Sequence, residues 1–296
     1  MSLFRSLLLG ALALASLPVL ADENLFGYVR GAETLPKGAR ELYQHLTVRT
    51  DKGAGHYRAL DAKTEFEYGV TDRFSASAEL KAQGLNTSGI LIDGYMPGDE
   101  KYTLKASGVE FGAKVNLMSP AKDDFGLATL FGLSHHWLDP HSGRKKDTTS
   151  IEGTLIGQKY FLEGQMTWAG NLGVEATYAR RKPIDNLPAG FEWSTDPEVE
   201  IELKAGTALA YRFMPNWSVG AEALYETEFE TEVGQERWSV FGGPTLHYGG
   251  QKWWATLSLM RQVRGGGEKF DAQRYTDLHL IEKTRNEVRL KVGYNF

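Results

Sequence analysis

Residues 285–296, RNEVRLKVGYNF, alternate between apolar and polar side chains without a break. The apolar set is Val288, Leu290, Val292, Tyr294 and Phe296, and the polar set is Glu287, Arg289, Lys291, Gly293 and Asn295. Residues two apart lie on the same side of a β-strand. This stretch therefore predicts a strand with one side toward an apolar medium and the other toward water.

A terminal Phe on such a strand resembles the closing strand of bacterial outer-membrane β-barrels. The resemblance implies that Tyr294 and Phe296 form the signal that the barrel-assembly machinery recognises. It also implies a location in the outer membrane of a Gram-negative envelope, with membrane lipids and lipopolysaccharide as surroundings. Removal of Phe296 is then expected to reduce the folded population.

The first 21 residues have the features of a secretory signal peptide. A single basic residue, Arg5, precedes an apolar run from Leu7 to Val19, and small residues lead to a cleavage site expected after Ala21. A membrane-anchoring helix is the alternative, but it needs roughly 20 apolar residues. The chain has no cysteine, which excludes disulfides and thiolate metal sites.

Residues 22–38, DENLFGYVRGAETLPKG, do not alternate for long and end in a turn signal, so they predict a periplasmic N-terminal lead-in. Residues 39–296 contain no linker and predict one outer-membrane barrel domain. The stretches FGYVRGAETLPKG (26–38) and YGVTDRF (68–74), with the terminal aromatic strand, resemble an uncharacterised family of proteobacterial outer-membrane β-barrels. That resemblance implies a barrel and no assigned activity.

The alternation predicts an all-β fold, a twelve-stranded antiparallel transmembrane β-barrel. The predicted strands are 40–50, 56–70, 74–84, 104–118, 125–138, 148–162, 166–178, 198–213, 217–229, 238–248, 253–263 and 285–296. Neither face of the strand 148–162 is uniformly apolar or uniformly polar, which leaves room for a bulge in this strand. A soluble β-sandwich or a lipocalin-like barrel also alternates, but with its apolar face inward.

The lengths of the connections favour the membrane barrel. Connections after the even-numbered strands are short, and those after the odd-numbered strands are long, except the first. Short turns lie in the periplasm in bacterial barrels, so both chain ends are predicted there. An aromatic girdle is predicted at that end, formed by Tyr68, Phe74, Phe125, Phe213, Trp217, Tyr248, Trp253, Tyr294 and Phe296.

Signals for catalysis or metal binding are sparse. Ser134 and His136 share a strand face and resemble the Ser and His of some twelve-stranded outer-membrane lipases, but no Asn or Asp at a recognisable spacing completes a triad. His135 and His136 point to opposite faces, which disfavours a metal site with His141. The sequence predicts no catalytic residue, no metal site, no cofactor and no nucleic-acid partner.

The inward faces of the predicted strands carry many charges, including Glu65, Glu67, Glu79 and Arg289. The tight turn at 71–73 predicts Lys63 opposite Lys81 and Glu65 opposite Glu79, with opposite charges one diagonal step away. Charges of this kind either pair with one another in a ladder or line water. The sequence leaves both arrangements open.

An acidic wall is predicted at the outer mouth, where Glu198, Glu200, Glu202, Glu226 and Glu228 gather at the far end from the turn at 214–216. On these two strands only Lys204 is close enough to offset them, with Arg180, Arg181 and Lys182 within reach from the preceding strand. Such a mouth favours cations or holds a divalent ion between carboxylates. The alternative is a rim neutralised by the Arg and Lys of neighbouring loops.

These features predict a passive channel for small polar or cationic solutes, with the loops and the lead-in constricting the lumen. A plugged structural or adhesion barrel, or a hydrolase at the lipid boundary, is the alternative. The solute itself has no signature in the sequence.

Overall fold

The computed structural model describes residues 24–92, 96–230 and 234–296. The predicted signal peptide, residues 1–21, lies outside the described residues. Among the residues described, no helix has the length and apolar character to cross a membrane.

Twelve long strands form one closed antiparallel barrel, as predicted. The strands are β1 (Arg40–Thr50), β2 (His56–Thr71), β3 (Phe74–Ser88), β4 (Leu91–Ile92), β5 (Met96–Pro97), β6 (Lys101–Met118), β7 (Gly126–Leu138), β8 (Lys145–Phe161), β9 (Met166–Arg181), β10 (Glu198–Met214), β11 (Trp217–Glu230), β12 (Gly234–Gly249), β13 (Trp253–Gly267) and β14 (Asn286–Asn295). The two-residue strands β4 and β5 pair only with each other, in the connection between β3 and β6. Closure comes from the pairing of β1 with β14.

The apolar faces of the strands lie on the outside of the barrel. Phe111 is 60% exposed and Leu172 is 63% exposed, whereas Glu79 is 5% exposed and Glu222 is 3% exposed. A soluble barrel or sandwich has the reverse arrangement, because water requires the apolar faces inside. This inversion overturns the soluble alternative and is typical of a transmembrane barrel.

The registers predicted at the tight turns are confirmed. Lys63 pairs with Lys81 and Glu65 with Glu79. Between β10 and β11, Lys204 pairs with Glu226 and Glu202 with Glu228. One detail differs, since a register shift at the turn pairs Met214, and not Phe213, with Trp217.

Strand β8 contains no bulge between residues 148 and 161, although its mixed pattern left room for one. Its pairing with β9 is regular throughout, and its only irregularity toward β7 lies nearer the strand start. The pattern was unclear because Ile156 is buried on the inward face, while Gly157 and Lys159 lie on the outward face. Apolar residues on both faces therefore hid a regular strand.

The barrel has a short-turn end, which carries the turns at 72–73, 119–125, 162–165, 215–216 and 250–252, and a long-loop end. Both barrel termini lie at the short-turn end, where the Phe296 amide donates to the Arg40 carbonyl at 3.1 Å. Trp217, Tyr248 and Trp253 form a continuous aromatic contact there, with ring centroids 5.0 and 4.6 Å apart.

The predicted alternation of short and long connections is only partly correct. At the long-loop end, the connections 139–144 and 231–233 are brief. The adjoining strands continue beyond the apolar face, since β12 begins at Gly234 and not at the predicted residue 238. Residues expected in loops therefore belong to the strand ladder.

The N-terminal lead-in lies inside the barrel, where it constricts the lumen as expected, and not in its predicted periplasmic position. Residues 24–37, here called the plug, run along the inner wall close to the short-turn end. Their partners are inward side chains of β13, β11, β9, β8 and β6 in turn, and then Asp72 in the β2–β3 turn. The backbone leaves the lumen where the Gly38 amide donates to the Gly69 carbonyl at 2.7 Å.

Candidate functional site

The plug is anchored on one wall carboxylate, Glu222 of β11. Its oxygens accept from the backbone amides of Gly27, Tyr28 and Val29 at 2.9, 2.8 and 2.9 Å. A fourth hydrogen bond comes from the Ser258 hydroxyl at 2.6 Å. Three successive amides around one carboxylate satisfy a buried charge without a cation in contact.

Three inward amide side chains hold the next part of the plug. Asn171 accepts from the Arg30 amide at 2.7 Å and donates to its carbonyl at 2.9 Å. Gln158 accepts from the Ala32 amide at 2.6 Å, and Asn116 donates to the Ala32 carbonyl at 2.7 Å. The wall thus supplies the partners that a strand neighbour would otherwise give the plug backbone.

The closing strand β14 contacts the plug through its polar face. The Arg289 guanidinium lies 3.6 Å from the ring centroid of Tyr28, and the Tyr28 hydroxyl donates to Glu287 at 2.7 Å. Lys291 donates to the Asn24 side chain at 2.9 Å. Arg289, predicted to face the lumen, is therefore part of the plug seat.

Small inward residues make room for the apolar part of the plug. Phe26 and Val29 are buried against Ala169, Ala208 and Ala210 on β9 and β10. Larger side chains at these three wall positions would occupy the same space. The plug is thus held by polar anchors and by one apolar contact.

A small polar cavity of about 40 Å³ lies between the plug and the wall of β1, β2, β3 and β6. A water molecule needs roughly 10–15 Å³ by this measure, so the cavity has room for about three. Arg30, His45, Glu65, Glu67 and Lys291 are among the lining residues. The cavity is therefore suited to water or a very small polar solute.

The predicted lumen carboxylates near the cavity are in contact with neighbouring side chains. Glu67 accepts from the Tyr43 hydroxyl at 2.7 Å, and Glu79 lies 3.2 Å from Lys63. Glu65 lies 3.6 Å from His45. These contacts follow the diagonal pairing that the register predicts.

Arg30 of the plug is oriented toward these carboxylates. Burial works against its charge, but Glu65 and Glu79 outweigh that effect and raise the pKa of Arg30 above its ordinary value. The guanidinium is therefore a permanent positive charge beside the cavity.

At the long-loop end, residues 268–285, here called the lumen loop, fold into the barrel mouth. Ile281 is buried with Tyr57, Ala59 and Leu85. The Leu280 carbonyl accepts from the Gly53 amide at 2.8 Å. The loop therefore occupies the outer part of the lumen, as the plug occupies the inner part.

Cations from other elements neutralise the predicted acidic wall. Lys283 of the lumen loop lies 3.2 Å from Glu202 and 2.6 Å from Glu226, and these carboxylates outweigh burial and raise the pKa of Lys283. Lys204 lies 3.2 Å from Glu202 and also contacts Glu175. This is the neutralised rim that the sequence left as the alternative.

The remaining wall carboxylates have partners too. Lys146 lies 3.0 Å from Glu198 and 3.7 Å from Glu200, and Arg181 also contacts Glu198. Arg237 is shared by Glu228, Glu236 and Glu282. Of the three basic residues expected to reach over, only Arg181 contacts the wall, since Arg180 donates to the Thr195 carbonyl and Lys182 contacts Asp147.

Among the residues that the structure describes, two carboxylate clusters have the spacing of a divalent-cation site. Oxygens of Glu198, Glu200 and Glu230 lie within 4.8 Å of one another, as do those of Glu228, Glu236 and Glu282. Each cluster also contacts a basic side chain, which competes with a metal ion for the same oxygens. Binding of a divalent ion at the mouth therefore stays a prediction.

Ser134 and His136 face the lumen and not the lipid. Ser134 pairs with Glu110 and Ser150 across the strands, and the His136 Nε2 lies 3.1 Å from the Lys81 Nζ. Among the described residues, no hydrogen bond joins Ser134 to His136. His135 lies on the other face and contacts the Thr149 hydroxyl at 3.0 Å.

The sequence analysis did not identify Glu222 as an anchor, nor Lys283 as a lumen residue. Glu222 was one inward carboxylate among many, and Lys283 lies in a connection with no period. The inward run of small residues on β9 and β10 is the one local signal for a bound segment, since a wall of alanines leaves space in the lumen.

The barrel is similar to solved outer-membrane proteins. The COG4313 outer membrane channel from Pseudomonas putida F1 has 14% identity and a TM-score of 0.55, with 90% of this chain and 98% of that chain covered. The beta domain of the Bordetella autotransporter Brka has 13% identity and a TM-score of 0.53, with 88% and 100% covered. At such identities the likeness shows the fold alone.

The search of curated proteins gives no match to this sequence. Residues 18–296 match the family of unknown function DUF6662. The sequence thus led to the right class, a barrel family without an assigned activity, and the match spans nearly the whole chain. The chain belongs to the DUF6662 family.

Proposed function

We propose that this protein is an outer-membrane channel for small polar or cationic solutes, closed in the present conformation by the plug. The observation that carries the proposal is the anchoring of the plug by single polar side chains, above all Glu222. Water can replace each of these contacts once the plug moves. The lumen that this movement opens is lined by charged side chains, as a hydrated path requires.

The energetics are consistent with a removable plug. A hydrogen bond to a charged group contributes roughly 1.5–3 kcal/mol when buried, and much of this returns as hydration when both partners reach water. The apolar contact of Phe26 and Val29 with the wall is small, since it consists of three alanines and Leu224. The plug is therefore stable enough to be ordered and weak enough to leave.

A preference for cations is part of the proposal. The mouth carries Glu198, Glu200 and Glu230 with oxygens within 4.8 Å of one another. These three carboxylates share two cations, Lys146 and Arg181, so the cluster keeps an excess of negative charge. Mobile cations concentrate near such a cluster because the local potential is negative. Larger or anionic solutes are not favoured by this mouth.

Single-channel recording in planar bilayers tests the proposal. We expect the mature chain to show rare, brief openings and a variant lacking residues 22–33 to show frequent and larger current steps. In a salt gradient, the deletion variant should be cation-selective, and changing Glu198, Glu200 and Glu202 together to Gln should reduce that selectivity. Silence from a folded, heat-modifiable deletion variant would contradict the channel.

A static plugged barrel is the second candidate. The lumen loop favours it, because Ile281 and the ion pairs of Glu282 and Lys283 fill the mouth independently of the plug. In that case both the mature chain and the deletion variant stay silent. A variant that also lacks residues 270–281 then separates a closed mouth from a blocked lumen.

The location and the assembly route belong to the same proposal. The fold is that of outer-membrane barrels, and we place the long-loop end outside the cell. Phe296 is 72% exposed at the end of β14, accessible to a partner before the barrel closes. Replacing Phe296 with Asp should lower the folded outer-membrane fraction, whereas replacing it with Tyr should preserve it. We assign no catalytic role to Ser134 or His136.

A further inference from the structure

A row of polar residues crosses the outside of the barrel at the long-loop end. Its members are directly paired from strand to strand: Arg261 of β13, Asn286 of β14, Thr50 of β1, Arg58 of β2, Asn86 of β3 and Lys101 of β6. All lie on the outward face, since the neighbouring positions Tyr57, Ala59 and Gln262 are buried inside. This set is here called the polar row.

The polar row marks the outer edge of the apolar band. Two residues closer to the short-turn end, the same strands carry Leu259, Val288, Val48 and Leu60, which are again paired with one another. Leu259 is 46% and Val288 42% exposed on the outside of the barrel. Along each of these strands the outward side chains change from apolar to polar over two residues. This change places the row at a boundary between acyl chains and headgroups.

Three members of the polar row are cations: Arg58, Lys101 and Arg261. All three are exposed, and none makes an ion pair with any residue that the structure describes. No carboxylate belongs to the row. Of the adjacent acidic residues, Glu100 lies 2.5 Å from Arg144, and Asp51 accepts from Asn286 of the row at 2.6 Å, so the row has three cations beside one carboxylate.

The opposite wall differs at the same end. There the outward face of β8 carries Asp147, which is paired with Arg180 in the register and contacts Lys182. Its charge is therefore balanced within the protein. On the wall from β13 to β6, by contrast, the three cations of the row have no carboxylate partner among the residues described.

We propose that the polar row binds lipopolysaccharide, with Arg58, Lys101 and Arg261 contacting its phosphate groups. Neighbouring strands lie about 4.8 Å apart, so Arg58 is roughly 10 Å from Lys101 and 14 Å from Arg261 along the row. Long basic side chains extend several ångströms from the strands, so cations at this spacing can contact separate phosphate groups of one molecule. The apolar band directly beneath the row receives the acyl chains of the same molecule, which links charge and apolar contact in one ligand.

The inference rests on the outer-membrane location and on the orientation proposed above, because lipopolysaccharide lies in the outer leaflet. It does not depend on conduction. A plugged barrel would carry the same row at the same boundary.

Equilibrium binding of purified lipopolysaccharide to the folded, detergent-solubilised barrel tests the proposal. We expect the combined variant R58Q/K101Q/R261Q to bind about tenfold more weakly than the unchanged protein, since three charge-assisted contacts are lost. The matched control R40Q/K122Q/K159Q removes three cations at the short-turn end and should bind as the unchanged protein does. Raising the salt concentration should weaken binding to the unchanged protein and have less effect on the first variant.

Lipopolysaccharide from which the phosphates have been removed, and phosphatidylethanolamine, are the two further probes. Both should bind the unchanged protein as weakly as intact lipopolysaccharide binds the first variant. Equal affinity for intact and dephosphorylated lipopolysaccharide would overturn the proposal, as would an equal loss in both variants. If the combined variant does not fold, the single changes R58Q and K101Q should each weaken binding about two- to threefold.

The readouts keep this inference separate from the channel. A barrel that is silent in bilayers but binds lipopolysaccharide through the polar row removes the channel and retains the inference. A conducting barrel that binds intact and dephosphorylated lipopolysaccharide equally retains the channel and removes the inference.

Discussion

The plug and the lumen loop fill opposite ends of the same lumen, but they are held by different chemistry. The plug contributes mainly backbone amides, three of which donate to Glu222. The lumen loop contributes charged side chains, since Glu282 contacts Arg237 and Lys283 contacts Glu202 and Glu226. The plug also carries the charge of Arg30, but this guanidinium makes no direct ion pair among the described residues, whereas the charges of the lumen loop are in direct contact with the wall.

This difference indicates which end can open. An amide leaving Glu222 finds water at little cost, and the carboxylate becomes hydrated as the plug leaves. A buried ion pair that is broken leaves an uncompensated charge on each side until both are fully hydrated. We therefore expect the lumen loop to be the fixed element and the plug the movable one.

The largest expected effect is at the fixed end. Changing Arg237 to Met leaves Glu228 and Glu282 without their shared cation and should lower the free energy of unfolding by about 3–5 kcal/mol. Arg264→Met is the matched control, because Arg264 has a 68% exposed side chain and lies 3.5 Å from Asp277. The control should change stability by less than about 1 kcal/mol. Urea titration of the folded barrel measures both, and similar losses would refute the contrast.

Glu222 provides the next test, at the movable end. Glu222→Gln keeps the shape but removes the charge, and should weaken the three amide contacts by about 2 kcal/mol in total. Hydrogen exchange at Gly27, Tyr28 and Val29 should then accelerate roughly 30-fold, while global stability changes little. Glu163→Gln, at an exposed turn, is the control and should leave hydrogen exchange at these three amides unchanged. Unaltered protection in Glu222→Gln would show that other contacts hold the plug.

Acidification should loosen the lumen loop. Burial, with the nearby charges of Arg237, Lys283 and Lys52, lowers the pKa of His279 to about 3. Released from the fold, this imidazole has its ordinary pKa of about 6.5 and takes up a proton more readily. The contribution of neutral His279 to stability is therefore complete above about pH 6.5 and declines as the pH falls toward 3. At pH 5 the loss is about 2 kcal/mol.

Hydrogen exchange at Leu278 and His279, corrected for intrinsic rates, measures this effect. Protection should fall between pH 7.5 and pH 5, and His279→Leu should remove most of the change. Plug amides should show no comparable response, since no histidine contacts Glu222 in the described lumen. An equal loss of protection at both ends would argue against a local cause.

The smallest expected effect concerns Arg289. Changing it to Lys keeps the charge but loses the planar contact with Tyr28, which contributes about 0.5–1 kcal/mol. Exchange at the Tyr28 amide should rise two- to fivefold. Arg212→Lys, on β10, is the control and should leave this rate unchanged. A larger change at Tyr28 than in Glu222→Gln would reverse the proposed order of the anchors.

The barrel itself was predictable because its rules are local. Alternation follows from the pleat of each strand, and a two-residue turn fixes the register of its hairpin. Lys63 opposite Lys81 and Lys204 opposite Glu226 both follow from those two facts. The ends of the strands were predicted less accurately. Strand β3, for example, continues to Ser88 after its apolar pattern stops.

The contents of the lumen were not predictable in the same way. Gly27 and Glu222 are 195 residues apart, and Lys283 is 81 residues from Glu202. Neither the plug nor the lumen loop has a periodic pattern of apolar residues, because each binds to side chains from several strands and not to a flat surface. The predicted acidic wall shows the consequence: its carboxylates were placed correctly, but two of their cations, Lys146 and Lys283, come from distant parts of the chain.

The short passage from the plug into β1 would make the proposed movement of the plug an intramolecular equilibrium. The Gly38 amide is bonded to the Gly69 carbonyl, so a displaced plug stays tied to the rim of its own barrel. A short tether holds its ligand at an effective concentration in the millimolar range. A free peptide of the same sequence with an affinity of 10 μM would, as a tethered plug, leave only about 1% of barrels open. Dilution or washing cannot alter that fraction, and only a ligand that competes at the wall, or a force on the tether, can.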